Sequence, residues 1–145
     1  MTQVNDDLGA LVGYQLKEVQ SALRSRMDET LRPLGLTTPQ YVCLELLSRT
    51  PGASNAELAR GAFVTRQTMN TLLRGLQERG LIERATRAPS GRALPTMLTP
   101  EGQGLLGQAV ERTHQIEARL VSRLTDDQRR DLHTALAACI DGLRD

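Results

Sequence analysis

Three times in this chain a threonine or serine is followed, three residues on, by a glutamine or glutamate: Thr37 and Gln40, Ser54 and Glu57, Thr125 and Gln128. Each pair has the form of a capping box, in which the hydroxyl accepts from a backbone N–H of the first helical turn and the longer side chain reaches back to the cap's own N–H. Thr65 is a further N-cap, and Thr99-Pro100 adds a cap followed by a first-turn proline. Helix starts are therefore marked along the whole chain. Asp126 and Asp127 reinforce the last one by lying at the positive end of the helix dipole.

Hydrophobic spacing supplies the lengths. Leu8, Leu11, Val12, Leu16, Val19, Leu23, Met27 and Leu31 form a 3.6-residue stripe, which predicts a first helix over about residues 7–32, ended by Pro33 and Gly35. Such a helix is roughly 40 Å long at about 1.5 Å per residue, more than a small lobe covers. A second helix runs from Thr37 to about Arg49 and a third from Ser54, with Leu58 and Ala59 inward; residues 61–64 connect it to a fourth. The fourth runs from Thr65 to just before Gly80, with Met69, Leu72, Leu73 and Leu76 inward. Residues 81–86 and 93–98 read as two strands around a basic turn, Arg87-Ala-Pro-Ser-Gly-Arg92, with Pro95 at an unpaired edge or a bulge. A fifth helix extends to about Leu124 through Leu105, Leu106, Ala109, Val110, Ile116 and Leu120. A sixth turns Leu132, Leu136, Cys139, Ile140 and Leu143 inward. The order is mainly α with a small β-hairpin wing: a winged helix-turn-helix lobe over residues 36–99, and a helical dimerisation region from residues 1–35 and 100–145. Three long apolar stripes on so short a chain call for a symmetric homodimer.

Charge is distributed unevenly. The whole chain carries a net +1, which by itself points to no partner, but residues 60–92 hold seven arginines against two acids. A cationic block on a mildly acidic body points to an anionic partner docking at one place. The aromatic residues are Tyr14, Tyr41 and Phe63, too few to build base-stacking platforms for single strands, so duplex DNA is favoured. The outward face of the fourth helix carries Arg66, Gln67, Asn70, Thr71 and Arg74 and no acid. A solvated surface helix would also be polar there; the missing acids and the preceding helix-turn unit favour DNA. Arg66 and Arg74 suit phosphates or guanine, Gln67 and Asn70 suit adenine, and Ser54, Thr65 and Thr71 offer hydroxyls to the backbone. In the wing, Arg87, Ser90 and Arg92 suit insertion into a narrow minor groove.

Ser54-Asn-Ala-Glu-Leu-Ala59, Thr65 to Leu76, Glu78-Arg-Gly-Leu-Ile-Glu-Arg84, and Ser90-Gly-Arg92 followed by Leu98-Thr-Pro-Glu-Gly102 resemble the MarR (multiple antibiotic resistance regulator) family of transcriptional regulators. The resemblance covers nearly the whole chain. It implies a homodimer with interlocked N- and C-terminal helices, a palindromic operator, and repression relieved by a small ligand. The chain departs from the family at Ser90, where an Asp usually helps to hold the wing arginine, here Arg92. The resemblance also implies a cleft for aromatic anions, for which Tyr14, Lys17, Arg24, Tyr41 and His114 are candidates by helix position; each of them also suits an ordinary core or surface role.

Other classes find less support. Cys43 and Cys139 match no metal or redox spacing and are expected as reduced, mostly buried thiols, although a cysteine-based redox regulator is an alternative. His114 and His133 lie on separate helices, so no metal and no cofactor is expected. No Ser-His-Asp set, phosphate loop or HExxH is present, so the chain is not expected to be an enzyme. A winged-helix protein-interaction module without DNA binding is the remaining alternative. Residues 1–7 have neither the basic nor the apolar region of a signal peptide, and no apolar run spans a bilayer, so a cytoplasmic location without membrane attachment is expected.

Overall fold

The computed structural model describes Leu8, residues 10–84 and residues 95–144. Its elements in chain order are α1 (Val12–Leu31), a 3-10 turn (Arg32–Leu34), α2 (Thr38–Arg49), α3 (Asn55–Ala62), α4 (Arg66–Glu78), β1 (Ile82–Arg84), β2 (Thr96–Leu98), α5 (Pro100–Leu120) and α6 (Asp126–Arg144). The strands pair antiparallel, Ile82 opposite Leu98 and Arg84 opposite Thr96. This is the winged helix-turn-helix order. The wing tip expected at residues 87–92 lies outside the described residues. Two compact units meet within α5, one ending at Thr113 and the other beginning at His114.

All three capping boxes form. Thr37 accepts from the Gln40 N–H while the Gln40 side chain accepts from the Thr37 N–H, and the Ser54–Glu57 and Thr125–Gln128 pairs repeat the pattern. In the first unit the core is built by Leu31, Leu44, Leu47, Leu58, Met69, Leu73, Leu76 and Ile82, with the Cys43 thiol donating to the Met69 sulfur at 3.4 Å.

Three helix ends close in the same way. After the 3-10 turn, after α3 and after α4, a residue at positive φ reverses the chain, and the next N–H returns to a carbonyl five residues back: Leu36 to Leu31, Val64 to Ala59, Leu81 to Leu76. This is the Schellman arrangement, which favours glycine at the reversing position. Gly35 (φ 70°) and Gly80 (φ 73°) follow the preference, but after α3 the position is Phe63 (φ 58°). A side chain in that conformation costs roughly 1–2 kcal/mol. The connection expected over 61–64 is thus shorter than its glycine suggests. Gly61 and Ala62 complete α3, and the glycine suits a close approach to Leu46, whose side chain would lie 3.1 Å from a Cβ on Gly61.

The base of the hairpin is locked to α5. Thr99 donates its N–H to the Leu81 carbonyl at 3.1 Å and its hydroxyl to the Gly80 carbonyl at 2.6 Å, and it accepts from the Gly102 N–H at 3.1 Å. Backbone meets backbone here: a Cβ on Gly102 would stand 2.0 Å from the Leu81 carbonyl oxygen.

Several expected boundaries and burials differ. β1 begins at Ile82, one residue later than expected, and Pro95 lies just before β2; the rest of the expected strands, 85–86 and 93–94, falls outside the described residues. The fifth helix stops at Leu120, where Ser122 returns both its N–H and its hydroxyl to the Arg119 carbonyl. Gly102, Leu106, Ala109 and Thr113 form its buried line, while Val110 and Leu120 are exposed. On α1 the stripe sinks into the core only at its C-terminal end; Leu11, Val12, Leu16 and Val19 are exposed. On α6 the face expected to turn inward is not covered by its own chain: Leu132, Cys139, Ile140 and Leu143 are exposed and Leu136 is half-buried. Amphipathic spacing says that a face suits burial, not which chain covers it. Among the described residues no helix is long and apolar enough to cross a membrane.

Replacing Gly102 by Ala is expected to destabilise the protein by about 1–3 kcal/mol, because the clashing atom is backbone and cannot swing aside. Urea denaturation followed by circular dichroism measures this, and an unchanged midpoint would refute the close packing.

Candidate nucleic-acid interface

Helix α4 is set in place by its ends and its buried side. Thr65 accepts from the Thr68 N–H at 3.1 Å and donates to the Thr68 hydroxyl, capping the N-terminus. Met69, Leu73 and Leu76 anchor the inner face in the core. At the far end Arg79 donates to the Gly35 carbonyl at 2.7 Å. One member of the cationic block therefore braces α4 against the turn after α1, a scaffolding role that its charge alone does not reveal.

The anchoring leaves Arg66, Gln67, Asn70, Thr71 and Arg74 exposed on the opposite face. Among the described residues no carboxylate pairs with Arg66 or Arg74. The first turn of α4 contains no acid, so its free N–H groups and dipole leave a positive helix end. Guanidinium groups, amides and helix N–H donors gathered on one exposed side are chemically suited to phosphate oxygens and base edges.

Hydrogen bonds qualify three of the expected contacts. The Ser54 hydroxyl is half-buried and donates to Glu57 Oε1 at 3.0 Å. Bonds from the Ser54 backbone N–H, then from its hydroxyl, hold the Glu57 carboxyl below its usual range. The Thr71 hydroxyl donates to the Gln67 carbonyl at 3.2 Å. Asn70 receives a hydrogen bond on Oδ1 from Asn55 Nδ2 at 2.5 Å, which points its amide donors outward. Asn55 is a positioning residue that sequence reasoning missed. Its one signal was its place in the first turn of α3, and the partner lies fifteen residues away. Arg87, Ser90 and Arg92 lie outside the described residues.

The residues expected to hold a small ligand are spread over different elements. Tyr14, Lys17 and Arg24 are exposed along α1, and Arg24 is bonded to Asp28 at 3.1 Å. Tyr41 on α2 is half-buried, with its phenol donating to Glu45 at 3.1 Å and lying 3.2 Å from the Thr113 hydroxyl. Burial is the main cause holding that phenol above its ordinary range. His114 belongs to the second unit. Among the described residues no group of three or more His, Cys, Asp or Glu side chains could hold a metal ion.

The two thiols differ. Burial pushes Cys43 up to about 12, leaving it protonated and unreactive near neutrality. Cys139 is exposed on α6, contrary to the expectation of two mostly buried thiols. Iodoacetamide at pH 8 is expected to spare Cys43 in the folded protein and to label it once the protein is unfolded in urea, read by peptide mass. Rapid labelling of Cys43 would contradict the burial.

A model described as MarR family matches residues 34–93. The HTH-type transcriptional repressor Rv2887 of Mycobacterium tuberculosis (strain ATCC 25618 / H37Rv) is 45% identical over 127 residues, covering 88% of this chain and 91% of the relative. A crystal structure of the M. tuberculosis MarR family protein Rv2887 in complex with salicylic acid matches with a TM-score of 0.71 at 44% identity, over 90% of this chain and 96% of that one. Its complex with DNA matches with a TM-score of 0.71 at 42% identity, over 90% and 98%.

Proposed function

The chain belongs to the MarR family of transcriptional regulators, and from that premise we propose that it is a homodimeric repressor, binding a palindromic DNA operator and releasing it when a small aromatic carboxylate binds. The observation that carries this is the exposed side of α4, which carries Arg66, Gln67, Asn70, Thr71 and Arg74, with its one acid, Glu78, in the last turn. Arg66, Gln67, Asn70 and Arg74 enter the major groove, and the Thr65 cap places backbone N–H groups at a phosphate. Arg87 and Arg92 extend the contact into the adjacent minor groove. Ser54 and Thr71, whose protons are bonded within the protein, border the contact and hold its shape.

Residues 36–99 form the DNA-binding lobe, and the helices within 1–35 and 100–145 form the dimer. The exposed apolar residues of α1 and α6 supply its contacts: burying one leucine side chain stabilises by about 1.5–3 kcal/mol, so several such residues on each chain suffice for a lasting interface. Two-fold symmetry then sets the recognition helices roughly 34 Å apart, one turn of DNA, on an inverted repeat of roughly 15–20 base pairs. The protein acts in the cytoplasm by binding, without catalysis.

Release follows from linkage. A ligand displaces DNA only if it binds more tightly to the conformation whose two recognition helices are wrongly spaced. The mycobacterial relative's complex with salicylic acid supports a ligand of that class here. Tyr14 and Tyr41 offer aromatic walls, and Lys17 and Arg24 a positive charge for the carboxylate.

The double substitution Arg66→Ala plus Arg74→Ala is expected to abolish binding to a duplex selected by the protein from a random pool, while sizing chromatography still shows a dimer. Each single variant is expected to lower the slope of log K against log salt by about 1 where a phosphate contact is lost. Normal binding by the double variant would remove α4 from the interface. Millimolar salicylate is expected to release the same duplex in fluorescence anisotropy, and Lys17→Ala to raise the concentration required; no release at any concentration would refute the ligand class.

A further inference from the structure

Phe63 is the non-glycine residue at positive φ among the described residues, and it is 90% exposed. The two equivalent closures, at Gly35 and Gly80, use the residue the conformation favours. At Phe63 the chain instead holds an aromatic ring in an unfavourable backbone conformation and presents it to solvent. The fold gains little from it: Val64, the next residue, supplies the apolar contact that accompanies a Schellman closure, being partly buried against the core. Packing among the described residues therefore does not explain the ring.

Its position does. Phe63 comes two residues before the Thr65 cap and three before Arg66, so its Cα lies within about 11 Å of the first arginine of α4. A duplex that meets the N-terminus of α4 therefore passes close to this residue. We propose that Phe63 is a DNA-contacting residue, laying its ring on the apolar surface of a nucleotide, either a deoxyribose or a thymine methyl group. The contact rests on the reading of α4 as the recognition helix and extends the interface beyond it to the turn. Being apolar, it displaces no counterion and adds affinity that salt does not screen, unlike the neighbouring arginines.

The test uses the full-length protein, the selected duplex, and the variants Phe63→Gly and Phe63→Asn. Both replacements suit a positive φ, and asparagine retains a side chain, which controls for loosening of the turn. Each variant is expected to melt at the wild-type temperature or higher and to remain dimeric. Each is expected to bind the duplex about tenfold more weakly, the scale of one lost aromatic contact, with an unchanged salt slope. Replacing thymine by uracil in the duplex separates the two surfaces: the Phe63 effect vanishes if the ring meets the methyl group and persists if it meets the sugar. Binding within twofold of wild type by both variants overturns the proposal, as does conversion to monomer, which would make the ring a subunit contact. Arg74→Ala is measured alongside. If it weakens binding while the Phe63 variants do not, the failure is confined to Phe63; if neither change matters, the reading of α4 fails as well.

Discussion

The contact between the start of α5 and the base of the hairpin is the constraint on which the DNA-binding lobe depends. Thr99 joins the Gly80 and Leu81 carbonyls to the first turn of α5, and Gly102 lets the two backbones meet without a side chain between them. Gly80 and Leu81 are also the residues that close α4. One junction thus sets the end of α4, the root of the wing and the origin of a long helix.

Around that junction, charge and burial are sorted by face. Acids appear where they complete caps or internal bonds, as with Glu57 at Ser54 and Asp28 between Arg24 and Thr38. On the exposed side of α4 the one acid is Glu78, in the last turn, away from the Arg66 end. The cationic block is less uniform than its composition suggests, because Arg79 is tied to the Gly35 carbonyl while Arg66 and Arg74 are exposed. Its electrostatic meaning therefore lies in which guanidinium groups the scaffold leaves in solvent, more than in the net charge.

Much of the architecture was legible because its causes are local. Capping boxes join residues three apart, and the glycine closures need only the residues around them. The motif Leu98-Thr-Pro-Glu-Gly102, which carried the family resemblance, has a physical basis in the Thr99 and Gly102 contacts. The amphipathic stripes were also read correctly as stripes. The length of the stripes showed that one chain could not cover them all; which residues, such as Leu16 and Leu132, would remain exposed was not legible, since spacing does not distinguish an intramolecular core from a surface shared between molecules.

By itself, then, the sequence determined where helices begin, where they turn, and which face of α4 is polar, since each of these depends on interactions within about one helical turn. The tertiary structure alone decided that Asn55 orients Asn70, that Arg79 braces the turn at Gly35, that Tyr41 meets Thr113, and that Gly102 must lack a side chain. Those contacts join residues 15, 44 and 72 positions apart, or backbone to backbone across the junction. Only folding brings such pairs within reach, because their separation along the chain carries no periodic or capping signal.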